Sequence, residues 1–142
     1  MSRALAAAAA VLLLVLAPGA ALAARIVVTV DGLHSDKGSL YVALFARAEG
    51  FPDGDLAAQH LQVKAGRDPI AVTFEAPPGR YALGAYHDEN GNAKLDTNLL
   101  GYPIEGYALS NGIRAVLSRP RFSDAVFAVG DGETRVTLHI QY

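Results

Sequence analysis

Residues 24–142 read as an all-β domain, an antiparallel β-sandwich of about seven strands. Three observations predict it. Apolar residues recur with a period of two in one short segment after another, turn signals built from Gly, Pro and Asp-Gly separate those segments, and no stretch keeps a helical period beyond about two turns.

The first strand is Arg25 to Val30, β-branched nearly throughout and ended by Asp31-Gly32. The second is Gly38 to Ala46, apolar and aromatic, with glycine before it and charge after. Phe51-Pro52-Asp53-Gly54-Asp55 breaks the pattern, and Leu56 to Leu61 is expected to form one or two helical turns at most. Gln62 to Lys64 opens a short strand, and Ile70 to Glu75 alternates as a half-buried strand does. Pro77-Pro78-Gly79-Arg80 has the residue order of a type II turn, which predicts a hairpin into the next strand, Tyr81 to His87. That strand puts Tyr81, Leu83, Ala85 and His87 on one face and Ala82, Gly84 and Tyr86 on the other.

A long loop follows, over residues 87–107. Asn111 to Phe122 suggests a short edge strand whose Arg119 and Arg121, around Pro120, discourage pairing with another chain. The pattern returns at Ala125 to Val129, turns at Gly130-Asp131-Gly132, and ends in Arg135 to Ile140, where Val136, Leu138 and Ile140 alternate with polar neighbours.

Ahead of the domain, Arg3 precedes an unbroken apolar run from Ala4 to Ala17. Pro18-Gly19 and the small-residue pattern Ala21-Leu22-Ala23 follow it. These are the three parts of a secretory signal peptide, expected over residues 1–23, with a single domain over 24–142. Fourteen apolar residues make about 20 Å of helix, short of the roughly 30 Å hydrocarbon core, so no membrane span is expected in the mature chain. Without Arg3 the balance is 11 basic to 14 acidic residues, with no basic cluster, which argues against a nucleic-acid partner. Cysteine is absent, so thiol catalysis and thiolate metal sites are excluded. A periplasmic or secreted location is expected.

Three stretches carry a resemblance. They are Pro77-Pro78-Gly79-Arg80-Tyr81-Ala82, then His87-Asp88-Glu89-Asn90-Gly91-Asn92 with Leu95-Asp96-Thr97-Asn98, and Gly101-Tyr102-Pro103-Ile104-Glu105-Gly106-Tyr107 with Ser110-Asn111. Together they resemble an exported bacterial family catalogued as domain of unknown function 2141, over nearly the whole mature chain. The resemblance implies kinship and export and brings no activity with it. The Pro-Gly-x-Tyr turn before a strand is also similar to transthyretin-like modules, so the sandwich is read as transthyretin-like or immunoglobulin-like. That is a statement about fold alone.

Any specific chemistry is expected in the long loop. Asp88, Asn90, Asn92 and Asp96 stand at relative positions 1, 3, 5 and 9, with Lys94 at 7 offering its carbonyl. Oxygens on alternating residues of a curled loop converge on one centre, which is how Ca²⁺ collects its ligands. Glu105 across the loop is the further ligand expected. The spacing resembles calcium loops of helix-loop-helix hands and dockerins, but glycine stands at position 4 as Gly91, Ala93 at 6 and Leu99 at 12, and a strand precedes it. Weak Ca²⁺ binding, with Kd about 10⁻⁴–10⁻³ M, is therefore the expectation. The competing possibility is an Asx-rich loop that satisfies its own backbone N–H groups without metal.

His87 and Asp88 are adjacent on a strand and point to opposite faces, so they do not make an oriented imidazole-carboxylate pair. His34, His60 and His139 read as isolated, and no pair has zinc spacing. Tyr102 and Tyr107 are candidate ligand-binding rings, for sugar or peptide, with packing of the loop as the alternative use. The leading functional reading is an exported, non-catalytic binding or structural module with an unknown protein or carbohydrate partner. The alternative is a hydrolase or carbohydrate-active enzyme using Asp88, Asp96 or Glu105 as acid and base.

Overall fold

The computed structural model describes residues 23–116 and 118–142, so the expected leader lies, apart from Ala23, outside the described residues. Eight strands follow in chain order: β1 (Ala24–Asp31), β2 (Ser39–Phe45), β3 (Gln59–Lys64), β4 (Ile70–Ala76), β5 (Gly79–Asp88), β6 (Tyr107–Leu109), β7 (Phe127–Val129) and β8 (Glu133–His139). They form a three-stranded sheet in the order β4-β1-β8 and a five-stranded sheet in the order β3-β2-β5-β6, with β7 also paired to β5. The architecture is the all-β sandwich that the alternation predicts.

The alternation explains which faces meet. In β1, Ile26, Val28 and Val30 have no exposed surface, whereas Arg25 before them is exposed and Val27 and Thr29 between them are half-buried. Together with Phe74 and Leu138 they face Leu40, Val42, Leu44, Leu83 and Ala85 of the second sheet, and this layer is the main core. A second, smaller cluster of Phe45, Phe51, Ala82, Leu109 and Ala125 sits on the outer face of the five-stranded sheet. There Phe51 meets Phe45 and Phe122 edge to face, at 5.1 and 5.9 Å between ring centres.

Several expectations need correction. β4 and β5 do not form a hairpin, because β4 pairs with β1 in one sheet and β5 with β2 in the other. Pro77 and Pro78 have no amide hydrogen to carry a ladder around the corner, and Gly79 is not among the positive-φ glycines that a type II turn requires. The Tyr81 hydroxyl instead donates to the Pro77 carbonyl at 2.8 Å, closing the corner between sheets. Nor is every pair antiparallel: β8 lies parallel to β1, in register Val28↔Val136.

The helical turn expected at 56–61 is confined to a 3-10 turn over Gly54–Leu56, and β3 begins at Gln59. Leu61 and Val63 pack on the core from alternate positions, so burial favours the strand. No strand forms at the described residues of 111–122. Ile113 and Phe122 there pack on the second cluster, and Arg119 donates to the carbonyls of Phe51 and Gly50 at 3.2 and 3.3 Å, which ties that segment down.

Candidate functional site

The loop after β5 begins on Asp88. Strand alternation places Asp88 on the outer face opposite His87, yet its side chain is only 1% exposed because the loop folds back over it. One carboxylate oxygen accepts the N–H groups of Gly91 (2.7 Å) and Asn92 (3.2 Å), and the other accepts that of Ala93 (2.9 Å). Gly91 and Ala93 both take left-handed backbone, φ 77° and 60°. For alanine that conformation costs about 1 kcal/mol, which the Asp88 bond to its amide offsets.

Asn90 and Asn92 use both ends of their side chains. The Asn90 carbonyl oxygen accepts the Asn92 N–H at 3.0 Å, and the Asn92 oxygen accepts the Lys94 N–H at 2.9 Å. Their amide groups donate to the two carboxylate oxygens of Asp96, at 2.5 and 2.8 Å. Glu105 is buried at 9% exposure and joins the two arms of the loop, accepting the N–H of Glu89 at 3.3 Å and that of Asp96 at 3.0 Å.

The expected ligands are thus brought together in one network. Asn90, Asn92 and Asp96 meet through their side chains, while Asp88 and Glu105 reach them through the backbone. The Lys94 side chain is exposed. Among the described residues, no group of three or more His, Cys, Asp or Glu side chains gathers at metal-holding distance.

The two candidate rings part company. Tyr102 is half-buried in the far half of the loop, where its backbone bonds Asn98. Tyr107 belongs to β6, packs on the second cluster, and its hydroxyl accepts the Ala115 N–H at 2.9 Å.

The profile of a bacterial family matches residues 28–137, a span that runs from within β1 to within β8 and holds the whole loop; the family is described as an uncharacterized protein conserved in bacteria, DUF2141. The chain belongs to that family. No curated protein and no solved structure matches it.

This DUF2141 chain also carries a polar cluster beside the loop that the sequence reading leaves scattered. His34 is not isolated: its Nε2 lies 3.0 Å from Glu89, and its ring stacks on Tyr142 at 3.7 Å between centres. Ser35 donates to the other oxygen of Glu89 at 2.5 Å. That bond, with His34 adding to it against a smaller burial effect, holds the Glu89 carboxyl below its ordinary range. His87, fully buried, spans the Lys37 carbonyl (2.7 Å from Nε2) and the Tyr142 hydroxyl (2.6 Å from Nδ1). Ser35 and His34 both bond the same carboxylate rather than each other, so they do not form a nucleophile and its base.

The signal for this cluster was present but weak. The pair His34-Ser35 follows the turn after β1, and only the pairing of β2 with β5 brings it to Glu89. His139 is likewise partnered, 2.6 Å from Asp31 across the β1-β8 pair.

Proposed function

We propose that this protein is an exported, non-catalytic binding module whose loop 88–98 takes up Ca²⁺ weakly, in the periplasm or outside the cell. The observation that carries the reading is the convergence of Asn90 and Asn92 on Asp96, positions 3, 5 and 9 of the loop, within 2.8 Å. A cation at that point would replace the two amide donors, with the asparagines turning their oxygens inward. The backbone adds support, since Ala93 at position 6 makes the left-handed turn that calcium loops make there with glycine. A carboxylate offers about four lone-pair sites, and Asp88 uses three of them on amides, which leaves one for an ion. Export rests on the three-part leader over residues 1–23.

The same bonding counts against acid-base catalysis by Asp88 and Glu105. Both are buried, and both accept backbone N–H groups of the loop, which occupies them in holding its turns.

The test is a calcium titration of the mature protein. Ca²⁺ at about tenfold over Kd stabilises by roughly 1.4 kcal/mol, which raises Tm by about 3–8 °C for a domain of this size. Asp96→Ala should abolish the rise, and Mg²⁺ should give much less because it requires tight octahedral geometry. Equal small shifts with both cations that survive Asp96→Ala would return the loop to a self-satisfied Asx turn.

A further inference from the structure

We propose that the tip of the long loop, residues 98–104, is a membrane-docking finger that inserts Leu99 and Leu100, with Ile104 beside them, into a lipid surface. These three are 105%, 82% and 63% exposed, so Leu99 is fully open to solvent. Other large exposed apolar side chains among the described residues, Leu56, Val116 and Tyr142, stand far apart in sequence, and the Tyr142 ring stacks on His34, whereas these three share one loop tip. From Thr97 to Ile104 the chain carries no charged residue, which is unusual for a loop so open to water.

Most of the backbone N–H groups of the tip are already bonded within the loop. Asn98 accepts the N–H groups of Leu100 and Tyr102 on its side-chain oxygen, at 2.9 and 3.1 Å, and that of Gly101 on its carbonyl, at 2.9 Å. The Asn98 N–H goes to the Tyr102 carbonyl at 2.8 Å, the Ile104 N–H to the Asp96 carbonyl at 2.9 Å, and Pro103 has none to place. A bridge between Thr97 and Pro103 closes the base. Most of the donors that would be costly to bury in hydrocarbon are therefore already bonded, and apolar side chains project beyond them.

That pattern decides between occupants. A stable dimer buries about 800 Å² per partner, far more than three aliphatic side chains on a narrow turn can offer. A protein pocket would fix the segment by hydrogen bonds to its backbone, and here those N–H groups are taken up. A lipid surface needs neither area nor partners for hydrogen bonds, only apolar groups to receive. The inference is independent of whether the loop takes a cation.

The experiment is co-sedimentation of the mature protein with phosphatidylethanolamine/phosphatidylglycerol vesicles, beside the double variant Leu99→Ser, Leu100→Ser and the control Leu56→Ser. Binding is expected for the wild type and the control, with at least about a tenfold loss for the double variant, and it should persist in high salt because burial of apolar groups is not screened. Leu99→Trp supplies a reporter in a chain without tryptophan, and its emission should shift to the blue on adding vesicles. Since Leu99 and Leu100 are largely exposed, their variants should keep the wild-type Tm, which guards against misfolding. No sedimentation, sedimentation equal in wild type and double variant, binding abolished by salt, or Leu99-dependent self-association without vesicles would each overturn the proposal.

Discussion

The hydroxyl of Tyr142 lies 2.6 Å from Nδ1 of His87, a side chain with no exposed surface. The tautomer follows from the partners. A carbonyl only accepts, so Nε2 carries the hydrogen that goes to Lys37, and in the neutral ring Nδ1 is the acceptor of the Tyr142 hydroxyl. The chain reaches this position because Gln141 pairs with Tyr107 by two bonds of 2.9 Å, which carries the segment after β8 across to the other sheet. Gly106 makes room for it, since a Cβ there would overlap the Tyr142 ring.

Tyr142→Phe should therefore leave a buried imidazole nitrogen without a donor. The expected cost is about 1–3 kcal/mol, seen as a fall in Tm or in the denaturant midpoint, while the far-ultraviolet spectrum stays that of the wild type. A Tm unchanged within error would mean that water replaces the hydroxyl and that the bond carries no stability.

The fold was legible because burial follows a period of two. Ile26, Val28 and Val30, or Tyr81, Leu83, Ala85 and His87, declare their inner face in the order of residues alone. What was not legible depends on pairing across distance. Nothing local says that β8 runs parallel to β1, or that Pro77-Pro78 passes the chain from one sheet to the other. The same holds at the site. The spacing of Asp88, Asn90, Asn92 and Asp96 was visible as a pattern, but the cluster of His34, Ser35, Glu89 and Tyr142 joins residues from three separate parts of the chain. The exposed Leu99-Leu100 pair was hidden for another reason: apolar residues in sequence imply burial, and only the turn at Asn98 turns them outward.

Asp88 organises the first arm of the loop through three amides, and β2 approaches it from the other side. Gly38 has φ 70° just before β2, and a Cβ built there would collide with the Asp88 carbonyl. Asp88→Ala should remove three charge-assisted bonds that hold the turn, costing about 1–3 kcal/mol. Amide exchange at Gly91, Asn92 and Ala93 should accelerate before the rest of the domain does. Gly38→Ala should also destabilise, by more than the roughly 1 kcal/mol of left-handed strain, because backbone must move to relieve the overlap. Protection at 91–93 that survives Asp88→Ala would show that the turn stands without its carboxylate.

Tyr41 and Tyr86 pair directly across β2 and β5 on the outer face of the second sheet, their rings parallel within 4° and 4.9 Å apart. Burial first, then the neighbouring Tyr41 and the carboxylates of Asp88 and Glu105, push the Tyr86 phenol from 10.0 up to about 12. The sign of the linkage follows. The folded state prefers the neutral phenol, so this contribution to stability is complete below pH 10.0 and is lost as pH rises through about 12. Tm should fall over that window, and Tyr86→Phe should make the fall shallower, since the group that ionises only on unfolding is gone. Tyrosinate absorbance should show a late-titrating phenol that disappears in the same variant. Asp88→Asn offers an independent lever: removing one negative charge facing Tyr86 should bring its titration earlier without touching the ring stack. If alkaline titrations of wild type and Tyr86→Phe coincide apart from amplitude, Tyr86 titrates with the other phenols, and the burial of its hydroxyl beside Asp88 has no electrostatic consequence.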